Sequence, residues 1–498
     1  MERSPFVVLL LHLQKEDKSE QMGKRLVSIL MALVMMLTAG AQEEKPHPWW
    51  ALGEVVVVNG IVYGLDRYIL NQPFSKISWK TIKHNLRSSY AWDDDNFYVN
   101  QFGHAYQGSL YFNAARSNGL NFFQSVPYTL IGSVVWEYFC ENEQPSINDV
   151  VTTVFTGSFM GETLHRVSRK IVDEHETGGC RFLREVTAAV LDPLEGFRRV
   201  VSGRAWKIGK DNSLRERTGE ISDQSSLMVG DRYLTASENL AHGAHQAYVG
   251  LNLEYGQAAD GESHSELYDF FSIDGALAIG KEQHLLSHLH LTGRLCSTPL
   301  LTKEKASGEL GLYQFFNYED SRLPGDTVPR GPFPYGEMVS FGPGVMFDFP
   351  QLAPHVKMEQ RFHARCVALG AIESDYYKFY NRHYNMGSGY GASTLSKVTW
   401  ENRGAMQLTA HYMHLYTWKG YEPKDLSGMV FDTNYLNVLG DRSDARLFTL
   451  NMQLHANIST QFGLTIGASY TSRHTHYKYH PDKHAESYEL RAGMECLF

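Results

Sequence analysis

The chain is written in two periodicities. Over residues 485–498 (AESYELRAGMECLF), Tyr488, Leu490, Ala492, Met494, Cys496 and Phe498 alternate with Glu489, Arg491, Gly493 and Glu495. Successive side chains of a strand point to opposite faces, so this stretch is apolar on one face and charged on the other. The same period recurs at residues 249–255, 288–295, 448–456 and 462–471. About twelve such segments fall between residues 227 and 498. Several run to ten or more residues, whereas strands in soluble sandwiches average roughly six. The pattern suits a transmembrane β-barrel, with one face toward lipid and one toward a polar lumen.

Before residue 206 the period is helical. Residues 49–70, 103–117, 122–141, 147–172 and 182–201 are predicted helices, with Pro145-Ser146 as turn and cap ahead of the fourth. Residues 122–139 carry only one charge, Glu137, which invites a membrane-spanning reading. Pro127 and the polar Gln124, Ser125 and Thr129 favour a buried helix instead. Residues 206–226 are polar and charged, a linker by composition.

The expected fold class is therefore α+β. A helical domain (46–205) precedes a linker (206–226) and a C-terminal antiparallel transmembrane β-barrel of about twelve strands (227–498). Such a barrel has no room for the helices, since plugged lumens need about 22 strands. An even strand count also returns both barrel ends to one side, so the helical domain is expected in the periplasm of an outer-membrane protein. The alternating strand that ends on Phe498 resembles the terminal strand by which bacterial barrels are recognised, which makes outer-membrane lipid and the barrel-assembly machinery the expected partners. At the other end, Met22-Gly23-Lys24-Arg25, the apolar residues 26–37 and Ala39-Gly40-Ala41 read as a secretory signal. Residues 1–41 are then an upstream extension plus signal peptide, with Met22 as the expected start.

Composition narrows the function classes. The 498 residues exceed one hydrophobic core. A net charge of −9 without a Lys/Arg run gives no face for nucleic acid. The 28 Tyr and 26 Phe suit aromatic girdles. Five scattered cysteines lack CxxC spacing, so neither a zinc site nor a dense disulfide framework is expected. Cys296, Cys366 and Cys496 fall on apolar phases of strands, while a Cys140–Cys180 bridge stays open.

Candidate chemistry concentrates among the helices. Asn100-Gln101-Phe102-Gly103-His104 leads toward Ala115-Arg116-Ser117-Asn118-Gly119. Trp136-Glu137-Tyr138, Pro145-Ser146-Ile147-Asn148-Asp149 and Gly161-Glu162 follow. In these segments residues 90–205 resemble a bacterial domain family of unknown function, DUF3943. That family carries an N–H–G–Y–ARSNG segment, a WEY-type helix, a PS-x-x-D turn and a GE helix. The resemblance implies an exported, Gram-negative protein and brings no agreed activity. Its motif positions here are His104, Arg116, Glu137, Ser146, Asp149 and Glu162. The barrel half is matched only by architecture.

Three readings compete for these residues. Glu162 and His165 form an E-x-x-H, the spacing used in di-iron bundles, which however need two such motifs. Alternatively His104 is a general base, with Glu137, Asp149 or Glu162 orienting it and Ser109, Ser117 or Ser146 as nucleophile, in an envelope hydrolase acting on lipid or glycan. No GxSxG accompanies them. The third reading has buried His, Glu and Arg satisfying one another between packed helices, with Gly157 and Gly161 permitting close approach. In the barrel, the lumen phase carries both signs of charge, including Glu254, Asp274, His288, His290, Arg294, His363, Arg365, His411, His455, Arg491 and Glu495. That mixture predicts a lumen knitted by ion pairs. His414 is the histidine on an apolar face. The leading expectation is a narrow pore or an envelope-maintenance protein, with no cofactor, and the hydrolase built on His104, Glu137 and Glu162 is the alternative.

Overall fold

The computed structural model describes residues 46–92, 95–208, 219–222, 225–236, 240, 243–280, 285–320, 334–377, 383–418, 420 and 440–498. The expected signal peptide and start at Met22 lie outside the described residues, as does most of the expected linker. The chain forms two compact units, one holding the helices and one holding the barrel together with Asp95–Gln101.

Seven α-helices are described: α1 (Pro48–Gly64), α2 (Trp79–Asn85), α3 (His104–Ser117), α4 (Phe122–Phe139), α5 (Ile147–Ile171), α6 (Gly178–Leu191) and α7 (Pro193–Val201). Their ends follow local chemistry. Asn121 and Gln124 form a reciprocal capping box ahead of α4, and Ser146 Oγ accepts from Asp149 N at the start of α5. Pro48 and Pro193 occupy first turns, where a missing N–H costs nothing. Helix α1, with the π-turn Leu65–Ile69, is long and apolar enough to cross a membrane. One face packs inward, with Val55 and Val58 buried against Tyr111 and Ala114 of α3, while Trp49, Val56 and Leu65 are exposed.

Helix α4, expected to be a buried helix over residues 122–139, is buried on one face only. It buries Ser125, Thr129, Ser133 and Glu137, one polar stripe at four-residue spacing, and turns Phe123, Leu130, Ile131 and Phe139 outward. The long apolar run concealed which face carried the hydroxyls. Helices α3 and α5 meet through glycine: a Cβ at Gly157 would lie 2.6 Å from Gly108 Cα. No bridge joins Cys140 and Cys180, which are both free thiols; burial pushes the Cys140 thiol up to about 12.

Twelve strands close into an antiparallel barrel in which each pairs with its sequence neighbour and β12 (Lys483–Leu497) pairs with β1 (Ser226–Ala236). The others are β2 (Ala244–Tyr255), β3 (Phe271–Ile279), β4 (Leu286–Lys303), β5 (Ala306–Glu319), β6 (Tyr335–Ala353), β7 (Val356–Glu373), β8 (Tyr384–Trp400), β9 (Gly404–Thr417), β10 (Ser443–Asn457) and β11 (Phe462–Tyr477). One face of the wall is exposed and apolar, with Val229, Leu310, Phe362, Leu450, Ile466 and Leu490 among its residues. Cys296 and Cys366 are exposed as well. Tyr390, Tyr416 and Trp418 flank this belt at one end, and Trp400, Phe462 and Phe498 at the other. An apolar belt between aromatic girdles is the surface that a lipid bilayer selects.

The two barrel ends differ. Where β1 begins and β12 stops, most connections are short (304–305, 354–355, 401–403 and 458–461). The opposite end carries the longer connections, such as 320–334 and 418–442. Residues 95–101 pack at that opposite end. Phe97 sits between Tyr318 of β5 and Tyr384 of β8, Asn100 Nδ2 donates to Tyr384 Oη at 2.7 Å, and Tyr384 Oη donates to the Asp95 carbonyl at 2.6 Å.

Candidate functional site

Four of the motif residues converge at the start of α5. Ser146 N donates to Glu137 Oε2 at 2.7 Å, so the α4 carboxylate satisfies an amide at the α5 N-terminus. Ser146 Oγ donates to Asn148 Oδ1 at 2.8 Å, and Asn148 Nδ2 donates to Asp149 Oδ1 at 2.8 Å. His104 Nε2, from α3, lies 3.3 Å from the same Asp149 oxygen. His104, Glu137, Ser146 and Asp149 are all buried. Burial lowers the His104 pKa to about 4, which leaves a neutral imidazole at physiological pH. The Ser146 hydroxyl is committed to Asn148 rather than to His104. What this cluster does is tie three helices together at a helix terminus.

Glu162 stands elsewhere. It lies 13 residues after Asp149 on one continuous helix, a separation of about 20 Å at 1.5 Å per residue. Its carboxylate is fully buried and accepts from Arg116 (Nε, 2.7 Å; Nη2, 3.1 Å) and from Arg166 (Nε, 2.8 Å). Burial alone would raise its pKa, but the two guanidinium groups outweigh burial and hold it at about 2. His165 turns to a different partner, with Nδ1 2.7 Å from Asp192 Oδ2. Glu162 and His165 therefore do not share a coordination point. Among the described residues no group of three or more His, Cys, Asp or Glu side chains is arranged to hold a metal. His104, Glu137 and Glu162 do not meet around one point, and the hydrolase reading draws no support from this geometry.

Sequence reasoning missed Asp192 and Glu54. Asp192 both pairs with His165 and caps α7 through Glu195 N at 3.1 Å. Its signal was present as Asp192-Pro193, a cap followed by a first-turn proline. Glu54, buried on α1, accepts from Asn118 Nδ2 at 2.9 Å. Burial pushes its pKa up to about 7, with Arg198 at 4.0 Å offsetting only part of that rise. An acid whose folded pKa is raised contributes stability below its unfolded value, which is lost as pH rises through the folded one. Glu54→Gln should therefore stabilise the helices by about 2 kcal/mol at pH 8 and by little near pH 5. Denaturant melts followed at the helical circular-dichroism band test this; equal gains at both pH values would contradict it.

The barrel interior holds a second polar constellation. Glu337 of β6 is fully buried, accepts from Arg365 Nη1 (3.1 Å) and Asn317 Nδ2 (2.8 Å), and lies 3.0 Å from His411 Nε2. Arg361 bridges Glu254 (2.7 Å) and Glu359 (2.8 Å), and His455 meets Glu495 (2.8 Å). Arg294 pairs with Glu309 at 2.7 Å and with Asp269 at 2.8 Å. Asp269 belongs to the connection 256–270, whose Phe270 packs against Tyr313, Phe315 and Met346. Toward the long-loop end the inward face turns apolar: Tyr335, Val367, Ile372, Met413, Leu415 and Leu447 form one buried cluster. On the outer face, His414 is satisfied by Asp444 and by Tyr390 Oη at 2.8 Å.

Residues 89–194 match the model of a domain of unknown function, DUF3943. No curated protein matches the chain. The solved structures it resembles include the NanC porin, at 9% identity over 53% of this chain and 98% of that one, with a TM-score of 0.27. They also include the Pseudomonas putida toluene transporter TodX, at 8% identity over 56% and 91%, TM-score 0.19. A third is the outer-membrane channel DcaP of Acinetobacter baumannii, at 11% identity over 56% and 97%, TM-score 0.20.

Proposed function

We propose that this is an outer-membrane protein whose barrel is a closed anchor for its helical unit, in an envelope-maintenance role rather than as a diffusion pore. The observation that carries this reading is the buried packing at both ends of the barrel interior. An apolar layer around Tyr335, Met413 and Leu447 occupies one end, and connection 256–270, clamped by Arg294, occupies the other. Between them lie ion pairs whose members neutralise each other, so no single sign of charge is left to select a solute. Strand β12, closed on β1 and ending at Phe498, is the segment through which the assembly machinery would recognise the protein.

Conductance tests the proposal. Purified protein reconstituted in a planar bilayer is expected to be silent, and a steady single-channel current would overturn the anchor reading. Deleting residues 257–268 together with Tyr335→Gly, Met413→Gly and Leu447→Gly should produce current, which separates a closed lumen from failed insertion.

A further inference from the structure

Helix α6 is built inside out. Phe182, Leu183, Val186 and Val190 recur at the spacing of one helix face, and that face is exposed, at 43–67% of each residue's surface. The charged residues turn inward. Arg181 donates to Glu185 (3.1 Å), and Arg199 of α7 donates to Glu185 (2.9 Å) and Glu174 (3.1 Å). In water an amphipathic helix does the reverse, hiding its apolar stripe and solvating its charges. The segment after α7 extends the patch: Trp206 and Ile208 are exposed at 68% and 70%. Together with Phe182, Val186 and Val200 they line an apolar groove of about 400 Å³.

We infer that the α6–α7 hairpin and Trp206 form a phospholipid-binding surface that inserts into the bilayer. Three observations favour lipid over a protein partner. Two exposed cations, Arg204 and Lys207, flank Trp206, with Glu176 also at the groove, and basic residues beside an interfacial tryptophan complement anionic headgroups. The bilayer is also within reach. Eleven residues separate Ile208 from Glu220, which is already hydrogen-bonded to the end of β2, a tether of at most roughly 40 Å. Finally, the inward charges are already paired, so inserting the apolar face buries no unpaired ion.

The test uses the full-length protein with its cysteines replaced by alanine, one new cysteine carrying a polarity-sensitive fluorophore, and nanodiscs containing brominated phosphatidylglycerol. Probes at Val186→Cys and Val190→Cys should be blue-shifted and quenched by the brominated chains, as at Leu464→Cys on the lipid-facing wall. A probe at Lys80→Cys on α2 should stay unquenched. Adding Arg204→Glu and Lys207→Glu should reduce the quenching several-fold, and by more in phosphatidylglycerol than in phosphatidylcholine. Unquenched probes at 186 and 190 with a water-like spectrum would overturn the inference. So would unquenched probes with a blue-shifted spectrum, which would mean that protein rather than lipid covers the hairpin.

Discussion

Arg116→Met should destabilise the helical unit by about 3 kcal/mol at neutral pH, the scale seen when one partner of a buried ion pair is removed. Glu162 is fully buried and depends on two guanidinium groups, of which Arg116 supplies the two-pronged contact. Arg166 remains in the variant, with its Nε 2.8 Å from the carboxylate. The pH dependence should change sign. In the native protein Glu162 has a folded pKa of about 2, below its unfolded value. Its stabilisation is therefore present at neutral pH and lost only as pH falls toward 2. Without Arg116, burial dominates and the carboxylate is more stable protonated, so the deficit should shrink as pH falls toward 5. Denaturant melts of both proteins at pH 5 and pH 7.5 check this, and a deficit unchanged by pH would show that lost packing, rather than charge, carries the effect.

Gly157→Leu should cost at least about 3 kcal/mol, at the upper end for overpacking, because the obstruction is backbone and not a movable side chain. A Cβ there would lie 2.6 Å from Gly108 Cα and 2.8 Å from Gly108 C. Helices α3 and α5 would have to separate, and the contacts that His104 makes with Asp149 and Arg116 with Glu162 would lengthen together. Gly179→Leu is the matched control, since a Cβ at that position meets nothing within 4 Å. Comparable melting of the two variants would remove the close approach as a stabilising feature.

The barrel was legible because its signal is local. Each strand must obey the alternation by itself, so Glu495 and Met494 could be assigned to opposite faces before any pairing was known. The identity of the lumen filling was not legible. Phe270 and Asp269 sit in a connection, where no periodicity marks them, and Tyr335 and Met413 occupy the inward phase that polar residues hold elsewhere. Among the helices, motif spacing found residues that matter to packing but could not say who pairs with whom. Glu162 and His165 share a helical face by count, yet Arg116 and Asp192, distant in sequence, draw them to separate partners. The exposed apolar face of α4 was misjudged for the same reason: hydropathy sums a helix, while its environment is decided face by face.

The contact between residues 95–101 and strand β8 also bears on the order of folding. Asn100 and Asp95 reach Tyr384 across 284 and 289 residues of sequence. Contacts of that separation form late, because the loop they close must be ordered first. During assembly this short segment must wait, unsatisfied, until β5 and β8 exist to receive it. Native-state exchange of its amides should therefore open at lower free energy than that of the wall it packs against.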